Sequence, residues 1–160
     1  MAVFPNARGF AYVTFESPLS PVDWGMTDLS GKRKNQKRLR RLTAILDRCG
    51  PDVLVLRDVS YEPRARYLPQ LVRQIEQMAA RRGIVTVRVS REQIQEAFAH
   101  LEAPTRYAVV CAIAKNIPMF EPFVPPARKI WKGEDRRMGL FDAAALALTF
   151  YRLANGHAAG

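Results

Sequence analysis

Seven of the ten residues from Lys32 to Arg41 are basic: Lys32, Arg33, Lys34, Lys37, Arg38, Arg40 and Arg41. No acid follows until Asp47. Leu39 and Leu42 begin a narrow apolar stripe through this run, so the sequence predicts that all seven cations project outward. Such a cluster repels itself, and a polyanion relieves the repulsion through phosphate contacts that release counterions. The plainer alternative is a solubilising helix face, but such faces normally interleave acids. A second basic set, Arg128, Lys129, Lys132, Arg136 and Arg137, frames Trp131. An indole beside Arg and Lys can stack on an unpaired base, or it can plug a surface groove. Arg64, Arg66, Arg81 and Arg82 flank an apolar helical segment and read as ordinary surface charge.

The whole chain repeats the bias. Its 160 residues carry 25 Lys and Arg against 15 Asp and Glu, a formal net charge of +10. The expected partner is therefore nucleic acid, DNA in preference to RNA, and not a membrane. A span needs about 20 consecutive apolar residues, and none is present. No charged leader with a long apolar segment opens the chain, so a cytoplasmic location is expected. Cys49 and Cys111 lie far apart and read as small buried hydrophobes of a reducing compartment. His100 and His157 have no neighbours at metal-ligand spacing, which leaves no zinc site and no His-dependent nucleophile.

Hydrophobic residues make up 48 % of the chain, enough for one core. We assign residues 1–154 to a single domain and 155–160 to a flexible tail. Ala2–Phe4, Gly9–Glu16 and Val22–Met26 read as a three-stranded meander. A helix over Lys32–Asp47 follows, stopped by Gly50-Pro51. The nearly continuous apolar run Asp52–Val59 is a central strand covered on both faces. Arg64–Arg82 is a second helix, its first turn set near Leu68 or Pro69 by the proline. Ile84–Val89 is a further strand. Ser90 and Gln93 form a capping box for a helix over Arg91–His100. Helices over Thr105–Lys115 and Leu140–Leu153 complete the order, separated by a proline-rich stretch at Pro118–Pro126 and a charged loop from Trp131 to Arg137. A meander followed by strand–helix alternation predicts an α/β fold: a mixed five-stranded sheet with helices on both faces.

From about Ala2 to Tyr151 this order, with its small motifs, resembles the RuvC-type Holliday junction resolvases of the RNase H-like superfamily. The motifs are Phe4-Pro5-Asn6 followed by Gly9-Phe10-Ala11-Tyr12, then Pro51-Asp52 leading to Leu56-Arg57-Asp58-Val59, then Thr105-Arg106-Tyr107, and finally Asp142-Ala143-Ala144-Ala145-Leu146-Ala147. The resemblance implies an RNase H-like fold, a homodimer, and carboxylates holding Mg²⁺ or Mn²⁺ beside a scissile phosphate. It also implies that the acid set is degraded. Phe4 stands where the family has its first-strand Asp, and Arg57 stands at the Glu position. Asp58 is one residue away, on the opposite strand face unless the strand bulges. Asp142 matches, with Glu134 and Asp135 as helpers.

The candidate catalytic and metal residues are thus Asp142 and Asp58. The candidate nucleic-acid contacts are Lys32, Arg33, Lys34, Lys37, Arg38, Arg40, Arg41, Arg106, Trp131 and Lys132. Simpler roles stand beside these: Asp142 as a helix cap, Asp58 as a solvated strand end, and Glu134 to Arg137 as a self-neutralising loop. The expected function is binding of branched or structured DNA with weak or absent cleavage. The alternatives are an active metal-dependent endonuclease and a structural subunit that docks partners along Pro118–Pro126.

Overall fold

A computed structural model of the chain describes residues 1–60, 63, 65–129 and 131–158, the last two by their backbone alone. Five strands form one mixed sheet in the order β3-β2-β1-β4-β5. β1 (Ala2–Pro5), β2 (Gly9–Ser17) and β3 (Ser20–Asp28) make the antiparallel meander. β4 (Val53–Arg57) lies parallel to β1, and β5 (Val85–Val89) lies parallel to β4. The expected α/β architecture is therefore present.

Strand alternation sorts the core into two layers. On one face Val3, Phe10, Tyr12, Leu54 and Leu56 pack against α1 (Lys34–Cys49) and α2 (Leu68–Arg81). On the other, Ala2, Phe4, Ala11, Val13 and Val55 meet α3 (Arg91–Phe98), α4 (Arg106–Asn116) and α5 (Met138–Ala158). α5 is mostly Ala, Leu and Phe from Leu140 to Leu153, as a helix lying across the sheet requires, and Leu140, Ala143, Ala144 and Leu146 are fully buried.

Several boundaries differ from the sequence reading. β3 is longer at both ends and contains Pro21, which it tolerates as an edge strand with a register shift there. Lys32 and Arg33 precede α1, because Arg33 adopts a left-handed backbone with φ 60°. α2 starts at Leu68 with Pro69 in its first turn, and Arg64 lies outside the described residues. α3 carries the expected capping box and tightens into a 3-10 turn over Ala99–Leu101. The stretch Pro118–Phe123 is 3-10 helix rather than open chain. Phe120 there is fully buried against Trp24 and Phe141, while Pro118, Met119, Glu121, Pro122 and Pro126 remain exposed. α5 begins two residues early and continues to Ala158, through positions assigned to the tail. Cys111 is exposed and Cys49 half-buried, so neither is a core residue: α4 turns Cys111 outward, and Cys49 donates to Asp23 at 3.2 Å.

Candidate nucleic-acid interface and carboxylate cluster

The turn between β1 and β2 organises the candidate site. Asn6 builds it: its Oδ1 accepts from the backbone N–H of Arg8 at 3.0 Å and of Gly9 at 2.9 Å. This side chain closing a turn onto its own backbone is what Asn does well. Gly9 is required by close approach, since a Cβ there would lie 1.9 Å from the Thr27 carbonyl oxygen.

Arg38 locks this turn from the α1 side. Its Nε donates to Gly9 O at 3.0 Å and its Nη2 to Asn6 O at 2.6 Å, while Nη1 reaches Asn35 at 2.8 Å. The guanidinium lies 4.9 Å from the centre of the Tyr67 ring. Arg38 is 4 % exposed, which corrects the expectation that all seven basic residues face outward. Burial pulls its pKa below the ordinary Arg value, yet an Arg so lowered still carries its charge. The physical reason for its burial is the carbonyl demand of the turn: one planar fork donates to Asn6 O, Gly9 O and, at 3.4 Å, Ala7 O. Lys34 adds a bond to Ala7 O at 3.2 Å and Lys37 one to Ser30 O at 2.6 Å. Lys32, Arg33, Lys37, Arg40 and Arg41 are exposed as expected.

On its other side the same turn meets the carboxylates. Arg8 donates to Glu134 O at 3.0 Å, and Gly139 at the start of α5 packs against Asn6 and Ala11. Arg106, at the N-terminus of α4, reaches across to α5 and grips both oxygens of Asp142, with Nε 2.9 Å from Oδ1. Its third nitrogen bonds Glu134. Asp142 is the fifth residue of α5 and so does not cap it; its charge is taken by Arg106 instead. Thr105 caps α4 by accepting from Ala108 N–H at 3.1 Å, which fixes the residue beside it.

Phe4 and Arg57 also meet, the guanidinium 4.5 Å from the ring centre. Both sit on the α5 face, Arg57 in alternation with Val55. Asp58 does not join them. The β4–β5 ladder shows no register shift through Arg57, and Asp58 N–H continues it by donating to Val89 O at 2.8 Å. Without a bulge the carboxylate points to the α2 face, where Ser60 hydroxyl and N–H bind it and Arg88 lies 4.0 Å away. The Ser60 bonds hold its carboxyl below the usual range against a smaller upward push from burial. Arg88 is itself paired with Glu76 of α2.

The charged loop before α5 is only partly self-neutralising. Asp135 takes two bonds from the Arg137 guanidinium, Arg136 pairs with Asp28 at the end of β3, and Glu134 goes to Arg106. Trp131 in this loop is 78 % exposed.

The donor set does not fit a divalent cation. Such an ion needs several anionic oxygens around one point. Phe4 offers none, Asp58 faces the other side of the sheet, and Asp142 and Glu134 already surround a guanidinium. Among the described residues no three His, Cys, Asp or Glu side chains converge. Sequence reading located Asp142 and Arg106 but not their pairing, and missed Arg8 and Asn6. The Pro5-Asn6 to Gly9 turn signal pointed at the latter, but nothing local announced the reach from α4 to α5.

No helix among the described residues is long and apolar enough to cross a membrane. No protein-family model and no curated protein matches the chain. Solved structures do. The Thermus thermophilus RuvC structure is similar at TM-score 0.65 and 17 % identity, covering 96 % of this chain and 94 % of that one. T. thermophilus RuvC in complex with a Holliday junction substrate is similar at TM-score 0.61 and 17 % identity, covering 96 % and 92 %. The chain has the RuvC variety of the RNase H-like fold.

Proposed function

We propose that this protein binds branched or structured nucleic acid, DNA in preference to RNA, through a basic surface at the β1–β2 turn, and that it cleaves its ligand weakly or not at all. The binding half rests on placement. Exposed cations of α1 lie on one side of the turn, with Arg8 on the turn and Arg136 on the other side, while the acids nearest them are paired within the protein. The fold supports the reading, because the similar RuvC is known in complex with a Holliday junction substrate. The cleavage half rests on Arg106, which fills the space between Asp142 and Glu134 with a fixed positive charge.

The test is a binding and cleavage series on duplex, four-way junction and RNA substrates. Junction binding in EDTA, with no product appearing on addition of Mg²⁺ or Mn²⁺, is expected. A divalent-dependent product that disappears in Asp142→Asn would restore the endonuclease reading. Asp142→Asn is expected to leave affinity within about twofold.

A further inference from the structure

We propose, resting on the nucleic-acid reading above, that Trp131 is a stacking platform for an unpaired base, so that the ligand is DNA with a strand opening and not plain duplex. An exposed Trp offers a large, rigid, flat apolar surface with a polar edge, the kind of side chain that serves as a contact platform. Trp131 is the most exposed large hydrophobic residue among those described, at 78 %. Among the described residues it belongs to neither core cluster and touches no other aromatic ring. Trp24, by contrast, packs edge-on against Phe120 and Phe123.

The surroundings select the occupant. Lys132 N–H donates to Lys129 O at 3.0 Å, and Arg128 Nε donates to Lys132 O at 3.0 Å. These bonds tie Arg128 and Lys129 to Lys132, next to the indole in sequence. Lys129 Nζ stands 5.7 Å from the ring centre, over one face. An exposed apolar ring with a Lys over one face, in a segment rich in Lys and Arg, suits a partner that is flat, aromatic and anionic at its edge, which describes a nucleobase on its phosphate backbone. The sequence around the ring is rich in cations, with Arg128, Lys129 and Lys132 within three residues of Trp131. Position agrees: Glu134, gripped by Arg106, is three residues on, within about 10 Å of chain. A base in a duplex has both faces covered, so only an opened base can reach the indole.

The experiment compares wild type, Trp131→Ala and Trp131→Phe on a blunt duplex and on the same duplex carrying a short single-stranded gap, by fluorescence anisotropy at one low salt concentration. Thermal melting of each variant checks that the exposed substitution leaves the fold intact. Trp131→Ala is expected to weaken gapped-DNA binding by roughly tenfold and duplex binding by less than about twofold, with Trp131→Phe near wild type on both. Indole emission should fall when wild type, but not Trp131→Phe, meets gapped DNA. Equal loss on both ligands, or no loss on either, overturns the stacking role while leaving nucleic-acid binding in place. Failure of wild type to bind either ligand overturns both readings.

Discussion

The guanidinium of Arg106 in α4 lies against both carboxylate oxygens of Asp142 in α5, with Nε 2.9 Å from Oδ1, and against Glu134 with its remaining nitrogen. One side chain thus supplies the positive charge that the resemblance assigns to a metal ion. It differs from an ion in being tethered, planar and unable to polarise a water. The half-exposed position of Arg106 limits what the arrangement adds to stability, because solvent screens it.

Removing that charge should expose the repulsion it suppresses. Arg106→Ala is expected to cost about 1 kcal/mol of unfolding free energy, as for a partly exposed charge-assisted pair. A double-mutant cycle with Asp142→Asn should return a coupling of similar size that shrinks in high salt. A coupling of zero in urea titrations would mean that the contact does not form.

Arg38 should behave as a core residue despite its charge. Arg38→Ala removes the donor of Asn6 O and a partner of the half-buried Asn35, while Gly9 O keeps the Asn6 N–H and Ala7 O keeps Lys34; it is expected to cost about 2 kcal/mol, in the range for a lost buried charged hydrogen bond. Arg40→Ala, one turn face away and exposed, should cost less than about 0.5 kcal/mol. Equal effects in chemical denaturation would contradict the placement of Arg38.

Gly9 faces the Thr27 carbonyl at a separation no Cβ tolerates. Gly9→Ala should therefore push β2 from β3 and lower stability by about 3 kcal/mol. Gly83→Asn leaves a turn with open space around it and tests the same chain without the clash; it is expected to be nearly neutral.

The Arg137 guanidinium holds the Asp135 carboxyl at about 2, against a smaller upward push from burial, compared with an ordinary value of 3.8. A carboxyl depressed in the folded state stabilises above its unfolded pKa. That contribution is fully present above about 4 and fades as pH falls through about 2. An NMR titration should place Asp135 near 2 in the wild type and higher in Arg137→Gln, where the backbone N–H of residue 137 and the Arg8 charge still hold it down. Titration of wild-type Asp135 near 3.8 would show the pair to be absent.

Much of the fold was legible because its signals are local. The aromatic and β-branched run of β2, the continuous apolar run of β4, the Ser90–Gln93 box and the Gly50 stop each fix an element from its own residues. The site was legible in part. Asp58 was open to two readings from sequence, since strand parity assigns it to the far face and a bulge would bring it back; the unbroken β4–β5 ladder decides for the far face. Arg38 was misread because helical periodicity counts a guanidinium as polar and cannot see the turn carbonyls that call it inward. The Arg106–Asp142 pairing joins residues 36 positions apart on different helices, and only packing reveals such a contact.

The most direct measurement is the salt dependence of junction binding in EDTA, for wild type and for Lys37→Glu with Arg41→Glu. A linear fall of log affinity against log salt is expected, with a slope of about −4 for contacts made by the exposed α1 cations. The double reversal should weaken binding broadly and flatten that slope by about 2. A wild type that ignores polynucleotides at low salt, or a double variant that binds as before, would contradict the account.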